Sequence, residues 1–459
     1  MNDFDPALAR AEELARVYLE SLPTRPVWAR ASYEDILAGV TQPLQDEPIA
    51  PDKVVDELAD WVGPGLTATP SGRFYGFVIG GVVPAALAAD WLTSTWDQNA
   101  GLNSVAPAAA AAETVAGGWL LDLLGLPALA AVGFVTGGTV ANYACLASAR
   151  HTVLDRAGWD VNRQGLFGAP PVRVVVGADR HGTIDSAVRY LGLGLDSIVV
   201  IPADDQGRID AEALAAELGR VDTPTIVCLQ AGEIHTGAFD PFPAAIEAAH
   251  AAGAWVHVDG AFGLWARANE STRHLADGVD AADSWATDAH KTLNVPYDCG
   301  LAIVRDREAH LAAFGSRAAY LINTETPEPS DTVPELSRRA RGFAAWAALR
   351  SLGRQGVADQ VRNLHERAVQ VADGIRTIPG AEVLNDVVFT QVIASFGDDE
   401  TTGEIGRRLL VDGTAVVTPS QWRGRAVQRI SLSNWSTTAD DIDRTVAALR
   451  GISADVRGA

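Results

Sequence analysis

From Leu129 onward the chain alternates short apolar runs with Ala-rich amphipathic stretches. After a first run ending at Val135 come VRVVV (172–176), SIVVI (197–201), TIVCL (225–229), AWVHV (254–258), SWAT (284–287) and LAIVR (301–305). Most are apolar throughout and rich in β-branched residues, as expected of strands covered on both faces. Between several of them lie helical patterns such as DAEALAAELGR and PFPAAIEAAHAAG. The alternation predicts an α/β fold with a mainly parallel seven-stranded sheet in a large domain, taken as residues 96–345.

The flanks follow other periods. Residues 1–95 read as an N-terminal helical segment broken by Pro-bearing turns, including TRPVWARASYED and DEPIAPDKVVDELADWV. SRAAYLINTETPEPSDTVPE (316–335) is polar and Pro-rich, a length of loop that serves as a lid or an insert. Long helical patterns follow it, then two more strand-like runs, VVFTQVIASF and AVQRISLSNW. Residues 346–459 are therefore expected to form a small α+β C-terminal domain. No internal repeat is visible.

Charge and composition narrow the function classes. The formal net charge is −22 and no Lys/Arg-rich run occurs, which argues against nucleic acid as a partner. No apolar run approaches the ~18 residues of a membrane span. The N-terminal MNDFDPALARAEELARVYLESL lacks the basic and apolar regions of a signal peptide, so a cytoplasmic protein is expected. Cys145, Cys228 and Cys299 are too few and too widely spaced for a disulfide framework or a zinc site, and no metal is expected.

The basic residues carry a sharper signal. Lysine occurs only at Lys53 and Lys291; every other cationic side chain is arginine. Lys53 sits in the first turn of a helical pattern, where a solvated role suffices. Lys291 stands between a His and a Thr just after a predicted strand. A desolvated amine can lose its proton and condense with an aldehyde, whereas guanidinium stays charged and non-nucleophilic.

In parallel α/β sheets ligands collect at the carboxyl ends of strands. After Val135 comes TGGTVANYACLASAR, where Gly137, Gly138 and Thr139 open a helix and can offer N–H and hydroxyl donors to an oxyanion. Such a turn can also be purely structural. His181 follows the second run near a helix start, as a cap or as a ligand-facing ring. Asp259 ends an apolar strand and must find partners there, structural or functional. Asp288, His290 and Lys291 follow SWAT. A phosphate cradle, a buried carboxylate and a deprotonable amine after three different strands together suit pyridoxal 5′-phosphate (PLP). The phosphate would sit at the Gly turn, the aldehyde on Lys291 and the pyridine nitrogen against Asp259. The alternative is that Lys291 is a chance survivor of an Arg-biased composition.

These segments resemble the group II pyridoxal-phosphate decarboxylases, which act on aromatic amino acids, histidine and glutamate. The resemblance runs through RFYGFVIGGVVPAALAADWL, TGGTVANYACLASAR, RHGTIDSA, HVDGAFG, DSWATDAHKTLNVPYDCG and SRRARGFAAWAALRSLG. Its most specific part is Ser284, an aromatic residue, five more residues and then Lys291, with Asp298 and Cys299 downstream. It implies the aspartate-aminotransferase architecture (fold type I) and a homodimer with active sites at the interface. It also implies roles: Lys291 in Schiff-base linkage, Asp259 on the ring nitrogen, His181 stacked on the ring, Gly138 and Thr139 at the phosphate, and His290 beside the lysine.

Tyr320, in the predicted lid, resembles a loop Tyr associated in the aromatic decarboxylases with protonating the carbon that loses carbon dioxide. Relatives that make aldehydes carry Phe there, so Tyr320 points to an amine product. The resemblance implies an L-amino-acid decarboxylase, with an aromatic substrate expected; another PLP reaction, or a non-catalytic homologue, is the alternative. Two positions depart from the family pattern: Asp288, where Asn is usual, and Glu233, where a small hydroxyl residue is usual. Thr236 is a further candidate for the edge of the cofactor ring. Phe74, Tyr75, Phe77, Trp91 and Trp96 could line an aromatic pocket or pack in the core, and Arg341 and Arg350 could contact an anion or pair at a surface.

Overall fold

The computed structural model of the chain describes residues 4–40, 43–220, 223–315 and 327–458. Its large sheet is built from β1 (Ala131–Val135), β2 (Arg173–Gly177), β3 (Ile198–Ile201), β4 (Thr225–Gln230), β5 (Trp255–Asp259), β6 (Ser284–Asp288) and β7 (Gly300–Val304). Their spatial order is β1-β7-β6-β5-β4-β2-β3. β2 to β6 run parallel; β7 runs against both β6 and β1. Six strands therefore point one way, and their carboxyl ends share one edge with the start of β7. The seven apolar runs are these seven strands, each displaced by no more than two residues. β4, β5, β6 and β7 are buried at every position, as continuous apolar runs require.

The small domain carries β8 (Glu382–Val383), β9 (Gln391–Ser395), β10 (Thr418–Trp422) and β11 (Arg425–Ser431) in an antiparallel sheet ordered β10-β11-β9-β8. β9 lies inside the first expected run, and β11 begins one residue before the second. β8 has only two residues, and β10 reads TPSQW with a leading Thr-Pro, so neither carries a strand-like apolar pattern.

The domain boundary expected at residue 345 falls inside one helix, Gly342–Arg376, broken at Gly353, which has φ 62°. Before and just after this break, Ala344, Ala348, Val357 and Val361 pack in the large-domain core. Leu364, Ala368, Val371 and Ile375 pack in the small-domain core. The change of core comes between Val361 and Leu364, within a continuous helix. The N-terminal segment is likewise shared. Its helix Pro84–Trp96 lies against Gly342–Arg376, whereas Tyr75 exchanges backbone hydrogen bonds with Val416 and Ser431 and is buried in the small-domain core.

Asn294 ties these parts together. It is fully buried at φ 57°, a left-handed conformation that Asn tolerates. Its amide nitrogen donates to the carbonyls of Lys291, Thr292 and Ser433, each at 2.9 Å. Its oxygen accepts from the N–H of Gly81 at 2.6 Å and of Trp435 at 2.9 Å. One side chain thus joins the N-terminal segment, the lysine loop and the small domain. Nearby, a Cβ on Gly80 would collide with the carbonyl of Lys291, so the N-terminal segment abuts the lysine backbone.

Cys145, Cys228 and Cys299 are buried and unpaired, and burial pushes the Cys145 thiol up to about 12. Among the described residues no helix is long and apolar enough to cross a membrane.

Asn294→Gly keeps the left-handed backbone available and removes only the side-chain bonds. It is expected to cost about 3 kcal/mol, because buried partners are left unsatisfied. Thermal unfolding should then begin several degrees lower; an unchanged midpoint would mean that water replaces the amide without penalty.

Candidate active site

The strand edge explains which side chains meet. Gly300 is paired with Val135 on one side and Asp288 on the other, so the starts of two loops converge on it. A Cβ on Gly300 would lie 2.5 Å from Cα of Gly137, so the close approach needs glycine there. This brings the turn Thr136–Thr139 against Asp288, His290 and Lys291. A cavity of about 320 Å3 opens at that junction, lined by Gly137, Gly138, Thr139, His181, Asp259, Asp288, His290 and Lys291 among others.

At one end lies the helix Gly138–Arg156, with Gly137 as its cap residue. Its first N–H groups have no intrahelical partner, and with the helix dipole they form an anion cradle. Beside it, Lys291 Nζ is 2.9 Å from Asp288 Oδ2, and Asp288 is almost fully buried. The other oxygen, Oδ1, is buried with no hydrogen-bond partner. The carboxylate stands against the cradle itself: a Cβ on Gly138 would be 3.0 Å from Oδ2.

His290 stacks on Tyr297 with ring centroids 4.2 Å apart. Its Nδ1 accepts from the N–H of Cys299 at 3.2 Å, which leaves Nε2 to carry the proton, 3.7 Å from Asp288 Oδ2. Burial lowers its pKa and outweighs the opposite pull of Asp288, so the ring is neutral.

At the far end, Asp259 closes β5. Its Oδ2 accepts from Asn142 Nδ2 at 2.9 Å, and its Oδ1 accepts from the N–H of Ala261 at 3.2 Å. His181 caps the helix Gly182–Tyr190 through Nδ1 and also lines the cavity. Its ring is open to the cavity. The surrounding protein nevertheless desolvates it and lowers its pKa, against the pull of Asp259.

Lys291, Asp259, His181, His290, Gly137, Gly138 and Thr139 are therefore brought together, on the loops that follow four strands. Thr236 is not. Its hydroxyl donates to the carbonyl of Gln206 at 2.6 Å, and it lies in a turn gathered around Glu233. Glu233 accepts from the N–H groups of His235 and Thr236 at 2.6 and 2.8 Å and from the His235 ring at 2.9 Å. Glu233 thus holds a turn, and from that turn Ile234 and Gly232, not Thr236, line the cavity. Tyr320 lies outside the described residues.

None of the five N-terminal aromatics lines this cavity. Phe74 and Tyr75 are core residues, whereas Phe77, Trp91 and Trp96 are exposed. Arg341 is buried against Asp298 at 2.7 Å, and Arg350 is exposed.

Asn142, His257 and Arg429 gain significance only here. Asn142 lies four residues after Gly138, one helical turn on the same face. His257 lies two residues before Asp259, on the same face of β5. Both spacings were legible. Arg429, on β11, is distant in sequence. It is buried with Nε unpaired, donates from Nη2 to the carbonyl of Phe77 at 3.1 Å, and acts electrostatically on His181.

The donor set lining the cavity fits PLP: an anion cradle, a carboxylate that ends β5, and a primary amine. The partnerless Oδ1 of Asp288 faces the same cavity. Residues 34–396 match the family model described as the pyridoxal-dependent decarboxylase conserved domain. The chain is 29% identical to tryptophan decarboxylase 1 of Oryza sativa subsp. japonica over 91% of this chain and 86% of the relative. It is 29% identical to L-2,4-diaminobutyrate decarboxylase of Rhizobium meliloti (80% and 75% covered) and 25% identical to human cysteine sulfinic acid decarboxylase (84% and 82%). Among solved structures, the fold matches that of Oryza sativa TDC with PLP and tryptamine. The TM-score is 0.92 at 24% identity, covering 99% of this chain and 98% of that one. The fold is thus that of fold type I, and the chain belongs to the pyridoxal-dependent decarboxylase family, a PLP-dependent amino-acid decarboxylase and so a lyase.

Proposed function

We propose that the substrate is an aromatic L-amino acid, converted to its amine and carbon dioxide. The observation that carries this is the cavity lining: Val140, Ile234, Ala261 and Phe262 are apolar, and Lys291 is the one Lys or Arg among the described lining residues. A sulfinate side chain would need a second cation there, and an ammonium side chain a carboxylate beyond Asp259 and Asp288.

Within this reading each residue has a stated task. The Gly138 and Thr139 N–H groups hold the cofactor phosphate, and Lys291 Nζ is the amine that binds its aldehyde. Asp259 would accept a hydrogen bond from the pyridine nitrogen, and the His181 ring would pack against the cofactor. When bound, the cofactor supplies an electron sink for the pair left as carbon dioxide departs. Arg429, desolvated and with Nε free, lies outside this lining and is proposed as a charge-assisted donor to the α-carboxylate that every candidate substrate carries. His290 keeps its Nε2 proton directed at Asp288. Tyr320 is the proposed donor of the proton that replaces the carboxylate.

A homodimer belongs to the same reading. Trp96 and Trp346, each more than a third exposed, line an apolar groove with Leu92 and Phe343, and the exposed Trp119 stacks on Trp346. A surface with so many exposed large rings favours burial against a second copy. The compartment is cytoplasmic, where three unpaired thiols are usual.

With tryptophan, tyrosine, cysteine sulfinate and 2,4-diaminobutyrate as substrates, an aromatic amino acid should lead in kcat/KM by ~100-fold, with amine and carbon dioxide as products. Faster release of carbon dioxide from cysteine sulfinate would overturn the aromatic assignment. In the same assay Tyr320→Phe should divert product from amine to aldehyde; an unchanged ratio removes Tyr320 from that role.

Asp288→Asn removes a carboxylate that faces the phosphate cradle and pairs with Lys291 at 2.9 Å. The PLP Kd is expected to fall by ~5-fold or more, read by titration of the apoenzyme. Weaker binding would show that the carboxyl instead helps to seat the phosphate. Sedimentation should give a dimer, and Trp346→Glu should shift it toward monomer with loss of activity; a monomeric, fully active protein would refute the shared interface.

A further inference from the structure

Behind Asp259 lies a row of buried polar side chains whose proton order is set from the carboxylate end. Trp255 Nε1, which can only donate, gives a hydrogen bond to Ser284 Oγ at 2.9 Å. Ser284 Oγ lies 3.0 Å from His257 Nδ1, and His257 Nε2 lies 2.9 Å from Asn142 Oδ1. Asn142 Nδ2 donates to Asp259 Oδ2 at 2.9 Å. A carboxylate can only accept, so the Asn142 nitrogen must face it and the amide oxygen must face His257. His257 then needs its proton on Nε2, which makes Nδ1 an acceptor, and the Ser284 hydroxyl must donate to it. The tryptophan is compatible with the same order, since its N–H takes one lone pair of Ser284 and leaves the hydroxyl proton for His257 Nδ1. His257, Asn142 and Ser284 are fully buried and Trp255 and Asp259 nearly so, leaving water no place in the row.

The amide also branches. The second Asn142 proton goes to Thr183 Oγ1 at 3.0 Å, and Thr183 Oγ1 lies 2.9 Å from His181 Nδ1. Nδ1 of His181 also accepts the backbone N–H of Thr183, at 3.3 Å, so it carries no proton and the hydroxyl donates to it.

We infer that Trp255, Ser284, His257 and Asn142 form a one-way hydrogen-bond relay that keeps Asp259 an acceptor toward the cofactor nitrogen and, through Thr183, sets the tautomer of His181. The inference rests on the reading of Asp259 as the group opposite that nitrogen. All four are positioning residues, acting through Asp259 and His181 without touching substrate. Directed donors polarise one another in a dry interior, so the last bond to the carboxylate is strengthened by those behind it. The imidazole suits the middle of such a row because it stays neutral: burial brings its pKa down to about 4. A charged ring would donate from both nitrogens and break the order at Ser284.

The holoenzyme provides the test. Nitrogen-15 spectra of histidine-labelled protein should show His257 with a protonated Nε2 and a bare Nδ1 across the neutral range. A proton on Nδ1, or a charged ring, would overturn the relay. His257→Leu should retain bound cofactor but lose ~10-fold in kcat per bound cofactor with little change in KM. His257→Gln, whose amide N–H can still donate to Asn142, should recover most of that loss. Equal turnover in wild type and His257→Leu, or no rescue by Gln, would refute the inference. Should the Leu variant fail to fold, Ser284→Ala must still shift the His257 nitrogen signals and lower kcat; unmoved signals would count against it. Asp259→Asn serves as the separate control. If that change alone leaves cofactor affinity and turnover intact, the placement of Asp259 opposite the nitrogen fails, whatever the relay variants do.

Discussion

A carboxylate at the end of a buried strand is the constraint around which this site is arranged. Asp259 stands where β5 meets the cavity, with its neighbours on the strand apolar or fully buried. An ionised group there is tolerated only if donors converge on it. They come from two elements: the helix after β1 through Asn142 and the loop after β5 through the backbone N–H of Ala261. Meeting that demand fixes where the helix Gly138–Arg156 lies, since Asn142 sits one turn from its N-terminus. The anion cradle at Gly138 and the carboxylate at Asp259 are thus set at opposite ends of one cavity by the same helix.

Asp288 poses the opposite problem. It too ends a buried strand, but one of its oxygens has no protein partner and the other holds the Lys291 ammonium. In the chain by itself the pair compensates a buried charge, and the amine is kept from free solvent. Once the amine is committed to the cofactor, the carboxyl must find compensation elsewhere, with the neutral His290 ring as its nearest neighbouring N–H.

Much of this was legible along the chain because strands buried on both faces leave continuous apolar runs, and the residues that follow them are the ones that can reach a ligand. Lys291, Asp259, His181 and the Gly137–Thr139 turn were all found that way. Thr236 stays out of the cavity because Glu233, directly after the cavity-lining Gly232, gathers the turn around its own carboxylate, while the Thr hydroxyl is taken by the Gln206 carbonyl. β10 was invisible because a strand on the rim of an antiparallel sheet needs no apolar run. The domain boundary was misjudged because the long helix carries one apolar face through two cores, a feature with no local mark except Gly353. Arg429 could not be reached by local reasoning at all, since its relation to His181 exists only across the two domains.

The loop from Asp288 to Gly300 gathers these constraints into a few residues. β7 must run against β6, so the chain has to reverse there, and a reversal that began as a plain turn would leave Lys291 on a surface hairpin. Instead the loop is pinned along its length: Asp288 under the cradle, His290 against Cys299, Asn294 into the small domain and the N-terminal segment, and Asp298 onto Arg341. Its last residue, Gly300, packs on Gly137. The amine is therefore positioned by contacts to every part of the fold. A shift of the small domain carrying Arg429 would be felt at Lys291 through Asn294, which couples the group proposed to hold the substrate to the group that holds the cofactor.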